Sequence, residues 1–188
     1  MVSHYFGSHK GGVEIVAEEL FRGLAAQEQE VVWMAGDSTP PPESIGASRP
    51  ISLRAFNLVE EKTGLPFPVP TPGAVKRLAA EARNADVVVL QDCLYLSNIA
   101  TFLIAQCSRL PTIIIQHIGF VPYKNPALNM LMRLANLIVT RPMLSRASQV
   151  VFISETTRSF FNQLRFKKPP ETVFNGVDTD LYRTLATG

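Results

Sequence analysis

DVVVLQDCLYLSNIATFLIAQCSRLPTIIIQHI, from Asp86 to Ile118, sets two short apolar runs on either side of a longer block. The first run, Asp86–Asp92, has no polar alternation, which reads as a strand buried on both faces. The middle block, Ser97–Arg109, has the length and make-up of a helix, and PTIIIQHI is a second buried strand. Strand, crossover helix and strand make a right-handed βαβ unit with parallel strands. Ligands of such sheets collect outside the carboxyl ends of the strands. Asp92 and His117, each closing a strand, are therefore expected at a ligand edge.

The same alternation continues in both directions. Upstream, a short apolar start (Met1–Phe6) leads into a loop containing Gly11 and Gly12. Val13, Val16, Ala17, Leu20, Phe21 and Leu24 then recur at helical spacing, with Glu18 and Arg22 paired on the opposite side. Val31–Asp37 reads as a buried strand and Ile51–Phe56 as a weaker one. GLPFPVPTPG is too rich in proline for helix or sheet and is expected to be an irregular surface loop before a helix over Ala74–Arg83. Downstream, a long helix should run from about Ala127 into the 140s, with Pro142 kinking or breaking it. Gln149–Ser154 is another strand, Ser154 caps the next helix, and ETVFNGVD supplies a last short strand and turn. The expected fold is α/β: one domain over residues 1–188, a doubly wound, mainly parallel Rossmann-like sheet with helices on both faces.

Composition narrows the function. The chain has 188 residues and 46% hydrophobic content, enough for a single core. Its 18 basic and 16 acidic residues leave a net charge of +2, too balanced to suggest a nucleic-acid partner. Cys93 and Cys107 are expected to be reduced, small core residues of a cytoplasmic protein. Ala127–Val139, the most apolar segment, falls short of the roughly 18–20 residues that cross a bilayer. Leu128–Val139 within it is expected to pack in the core, with its basic residues solvated.

Few side chains suggest chemistry. The loop at Gly11 and Gly12 is neither a P-loop nor a G-x-G-x-x-G turn. Two readings stay open: a helix N-terminus whose bare amides receive a phosphate, or a turn that needs positive φ. His117 has the strand-end address of a site residue. Asp92 shares it, or else caps the next helix. His4 closes the first strand, and His9 and Lys10 lie in the glycine loop. No nucleophile elbow and no zinc motif occur, and two cysteines among three histidines give no metal-ligand spacing. Cys93 follows Asp92, whose charge would raise the thiol pKa.

In this order the pieces resemble the N-terminal half of a GT-B-fold glycosyltransferase of the retaining family-four group. SHYFGSHKGGVE resembles that family's first strand and glycine loop, and ADVVVLQDCLYLSN its His-Asp segment, with Gln91 where histidine is common. PTIIIQHIGFVPY resembles its histidine strand, ASQVVFISETTRSFF its penultimate strand and helix, and VFNGVDTDLYR its closing turn. The resemblance implies transfer of a sugar from a nucleotide-sugar donor to a sugar or lipid-linked acceptor, with retention of configuration. It implies donor-phosphate contact at Gly11 and Gly12, a role beside the reacting sugar for His117, and no metal or other cofactor. His4, Asp92, Gly119 and Lys124 become candidates for the cleft and the acceptor, and Lys124, Arg133 and Arg141 could assist a phosphate-bearing or membrane-proximal one. Such enzymes grip the donor with two glutamates eight positions apart in a second domain. No pair here has that spacing, so a covalently following C-terminal donor domain is expected and the chain alone should be inactive. Peripheral contact with the inner membrane face and a homodimer through the domain-facing surface are further expectations. A free-standing Rossmann-like module binding a phosphorylated ligand, or a nucleotide-sugar epimerase, are the alternatives.

Overall fold

The computed structural model describes residues 1–56 and 68–176. Its strands are β1 (Val32–Gly36), β2 (Arg49–Leu53), β3 (Ala55–Phe56), β4 (Val69–Pro70), β5 (Val88–Gln91), β6 (Thr112–Gln116), β7 (Gln149–Phe152) and β8 (Glu171–Thr172). Its helices are α1 (Gly12–Ala26), α2 (Pro72–Arg83), α3 (Leu96–Cys107), α4 (Pro126–Ala135), α5 (Arg141–Arg146) and α6 (Glu155–Phe160). A 3₁₀ turn (Gly7–His9) precedes α1, and a π-turn (Asn136–Thr140) joins α4 to α5.

β1 pairs in parallel with β2, and β5, β6, β7 and β8 pair in parallel in that order. The chain start joins the two groups, because Val2 bridges in parallel to Met34 on one side and to Leu90 on the other. The order is thus β2, β1, the opening segment, β5, β6, β7, β8. Sequence order reverses between the opening segment and β5, which is the switch point where doubly wound sheets bind ligands.

Two apolar clusters cover the sheet. Trp33 and Ala35 of β1 pack with Phe6, Ala17 and Phe21. Met34, pointing the other way, joins Leu78 of α2, Phe102 of α3, Leu90 and Ile114. Phe21 is fully buried, which is worth roughly 1.5–3 kcal/mol for a side chain of this kind. Both faces of β1 are therefore covered, as its unbroken apolar run implied.

The structure corrects several local expectations. Only Val2 of the opening segment forms bridges, because the chain curls into the 3₁₀ turn by Gly7. Ile51–Phe56 is two strands: β2 ends at Leu53, and β3 turns away to pair antiparallel with β4. Val69–Pro70, expected to be irregular, forms β4, since a two-residue ladder needs no donor from Pro70 and Thr71 N bonds Arg54 O instead. The Gly64–Phe67 part of that loop lies outside the described residues, as do Val177 and Asp178 of the closing turn. Thr71 caps α2 at Ala74 N with Pro72 in the first turn, and Ser154 caps α6 at Thr157 N as expected. Cys93 is buried but Cys107, at the end of α3, is exposed.

The largest correction concerns Ala127–Val139. α4 buries none of its residues. Its inward positions, Leu128, Met132 and Ala135, are only half-covered, and Asn136 and Thr140 of the π-turn face the protein. The Arg141 N–H reaches back to Asn136 O, one residue further than in an α-helix. Pro142 has no N–H to continue the ladder, so the expected disruption takes the form of this wide turn.

Candidate functional site

The carboxyl ends of the opening segment, β5 and β6 carry one connected group of polar side chains. His4, Glu14, Asp92 and His117 are each under a tenth exposed. The His4 ring stacks on Tyr95 with centroids 3.9 Å apart and lies 4.2 Å from the Tyr5 ring. Tyr5 in turn lies 4.3 Å from His9, whose Nδ1 is 4.0 Å from Glu14 Oε2.

Asp92 ties this group to β6. Its Oδ1 accepts from His117 N at 2.9 Å and from Ile118 N at 3.4 Å, fixing the turn that leaves β6. It does not cap α3, whose N-cap is Tyr95. Its backbone is left-handed (φ 65°), an uncommon state for a residue with a side chain. Oδ2 has no hydrogen-bond partner among the described residues. Burial pushes the carboxyl up to about 7, against the pull of the two amides, with the Glu14 charge adding to the rise.

The His117 ring is held by Gln91, whose Oε1 lies 2.8 Å from Nε2. The Gln91 amide nitrogen points to Met1 Sδ, so its oxygen faces the ring and the Nε2 proton is donated to it. Burial lowers the imidazole pKa to about 4, which keeps the ring neutral at physiological pH. Thr157 Oγ1 donates to the His117 carbonyl at 3.2 Å. Burial, and then the Asp92 charge, pushes the Cys93 thiol well above its ordinary value, so it is inert as a nucleophile.

The glycine loop departs from the turn reading. Neither Gly11 nor Gly12 has positive φ; Lys10, at 61°, takes the left-handed position. The two glycines differ from each other. A Cβ on Gly11 would lie 2.0 Å from Glu14 Oε2, so the buried carboxylate fills that side. A Cβ on Gly12 would meet nothing within 4 Å, leaving the first residue of α1 bare toward open space. A hollow of about 420 Å³ flanks the loop, lined by Gly7, Ser8 and Lys10 and closed opposite by Pro40–Pro42.

The structure thus brings together His4, the glycine loop, Asp92 and His117 on one edge. Gly119 also lies there, but a Cβ on it would come within 3.0 Å of Phe160, so its smallness serves packing. Lys124 is exposed. The Tyr95 hydroxyl is pushed well above its ordinary value, by burial first and then by the charges of Asp92 and Glu14. Sequence reasoning missed Glu14 and Tyr95. Glu14, Ala17 and Phe21 share one buried stripe at i, i+3, i+7, which was the available signal for an inward carboxylate.

A doubly wound parallel sheet with a polar edge at its switch point defines a Rossmann-like domain. The sequence matches Glycosyltransferase Family 4 over residues 10–181, and the chain belongs to that family. Among solved structures, MurG of Acinetobacter baumannii is similar, at 14% identity and a TM-score of 0.47. The match covers 93% of this chain and 44% of the MurG chain, so this chain spans under half of that protein's length. Among curated proteins, none matches. No helix of the described residues is long and apolar enough to cross a membrane.

Proposed function

We propose that this chain is the acceptor-side domain of a glycosyltransferase acting in the cytoplasm. It would move a sugar from a nucleotide-sugar donor to a hydroxyl of a sugar or lipid-linked acceptor, with retention of configuration, in cell-surface glycan or glycolipid synthesis. A following C-terminal domain grips the donor. The observation carrying the reading is the buried group at the switch point, where His4, Asp92 and His117 lie at the strand ends and Glu14 fills the Gly11 side of the glycine loop.

Within this reading Gly12 lets the donor diphosphate approach the start of α1, where amides and helix dipole favour an anion. Gly11 stays small to make room for Glu14. Neutral His117 faces the reacting sugar and stabilises charge at the anomeric carbon through its ring and carbonyl. The departing phosphate takes the acceptor proton, so no metal is called on. His4 and Asp92 form the acceptor side, with Gly119 and Lys124 at its margin.

In the protein joined to its donor-binding domain, His117→Ala should lower kcat by roughly 10²-fold or more, the usual scale for a positioned polar group. The folded fraction, followed by circular dichroism, should change far less. Full activity in the folded fraction would remove His117 from the chemistry. Calorimetry of this chain alone separates the non-catalytic reading: tight nucleotide-sugar binding without the second domain would favour a free-standing binding module.

A further inference from the structure

The ligand edge of the sheet carries a second hollow, beyond the end of β2. Its volume is about 570 Å³, the size of a small-molecule site, and its lining includes Ser52, Leu53, Arg54, Phe56, Thr71 and Arg77. None of His4, Gly11, Gly12, Asp92 and His117 lines it. The hollow forms because β2 ends at Leu53 and the chain leaves for the β3–β4 pair. It returns to α2 through Thr71, whose N–H bonds Arg54 O at 3.0 Å. Leu53 is buried there, whereas the Phe56 ring is 54% exposed. An aromatic ring beside two hydroxyls and two guanidinium groups has the make-up of a recognition surface. Arg54 is exposed and takes part in no ion pair among the described residues. Arg77 pairs through Nε with Glu81 Oε1 at 2.9 Å, and the other Glu81 oxygen serves Arg49, also at 2.9 Å. One carboxylate is thus shared by two guanidinium groups, and no acidic side chain lines the hollow. Asp37, just past the end of β1, turns an oxygen to Ala55 N at 3.1 Å instead. The start of α2 adds little, since Thr71 already accepts from Ala74 N and Pro72 has no N–H. The positive charge here belongs to side chains.

We propose that this hollow binds an acidic sugar, a pyranose carrying a carboxylate or a phosphate, with its ring on Phe56 and its anionic group between Arg54 and Arg77. The lining selects that occupant. Guanidinium forks suit a carboxylate or phosphate, which offers paired oxygens. A neutral ligand would leave Arg54 without a partner, and a bare anion would leave the Phe56 ring in water. A sugar acid answers both, because the C–H face of its ring covers Phe56 while its hydroxyls meet Ser52 and Thr71. The Thr71 hydroxyl accepts from Ala74 N but keeps its own proton to donate. The hollow is separate from the switch-point group, so the proposal stands whether or not the chain transfers a sugar.

Titration of the isotopically labelled chain with glucuronic acid, glucose 6-phosphate, glucose and inorganic phosphate, followed by amide NMR, tests it. The two acidic sugars carry the same chemistry on a carboxylate and on a phosphate, and the tighter one names the source. At least one of them should shift the amides of Ser52–Phe56 and Gly73–Arg77, with a Kd about tenfold or more below that of glucose. Arg54→Gln should remove that advantage and leave glucose binding as it was. Phe56→Ala should weaken the acidic sugar and glucose alike. Both side chains are exposed, so the melting curves of the two variants should match that of the native chain. Binding of inorganic phosphate as tight as that of glucose 6-phosphate would reduce the hollow to a general anion contact and overturn the proposal. Shifts confined to the glycine loop and His117 would overturn it too, as would equal affinity for glucose and both acids.

Discussion

The switch-point group and the outer face of the long helix invert each other. In the first, two carboxylates and two imidazoles lie where water scarcely reaches; in the second, methionine and leucine stand in water. Folding favours neither arrangement. Buried titratable groups cost desolvation, and exposed apolar stripes forgo burial. Between them the sheet is packed in the ordinary way, with Leu90 and Ile114 fully covered. The two departures from the burial rule stand out against this ordinary core.

The strongest way to probe that contrast is by pH. Asp92 has a folded pKa of about 7 against an ordinary 3.8, so its contribution is full at low pH and is lost as pH rises toward 7. His117 has a folded value of about 4 against 6.5, so its contribution is full above 6.5 and is lost as pH falls toward 4. Between pH 4 and 6.5 the two slopes oppose each other, and the native chain should be flatter than either variant. Asp92→Asn keeps an oxygen for the two amides and should unmask a stability that rises with pH by about 1.4 kcal/mol per unit. His117→Gln should unmask the opposite slope. Urea denaturation at stepped pH measures both, and parallel profiles for all three proteins would break the account of the buried group.

A smaller effect separates the two glycines. Gly11→Ala forces Glu14 out of its place and should cost about 1–3 kcal/mol, as overpacking does. Gly12→Ala meets no atom and should leave stability unchanged or raise it by up to about 1 kcal/mol. Equal losses by thermal melting would deny that Glu14 occupies the Gly11 side. Smallest of all, Leu134→Gln should shift stability by no more than about 0.5 kcal/mol, because half of the side chain is already in water. A loss near that of a core leucine would erase the contrast.

Much of the frame was legible in residues 86–118. Unbroken Val and Ile runs flanking a helix-length block define parallel strands, and their last residues, Asp92 and His117, reach the ligand edge because strand ends do. Ser154 was readable because a hydroxyl before a helix accepts from its first amides. The long helix was not readable in the same way. Periodicity tells which residues share a face, but here Leu128 and Met132 line one side while Met130 and Leu134 line the other, and nothing local says which apolar side turns inward. The glycine loop misled for a related reason. Lys10 took the left-handed conformation that glycine is built for, which freed Gly11 to serve Glu14.

The π-turn carries a consequence for how this helix can change. One surplus residue between Asn136 and Thr140 is slack in the winding, and deleting it would rotate everything upstream by about 100° relative to Met143 and Leu144. The outward stripe would swing round while the anchor on the sheet stayed in place. Single-residue insertions and deletions at this point are therefore a dial that re-aims the helix's outer surface without rebuilding the core beneath it.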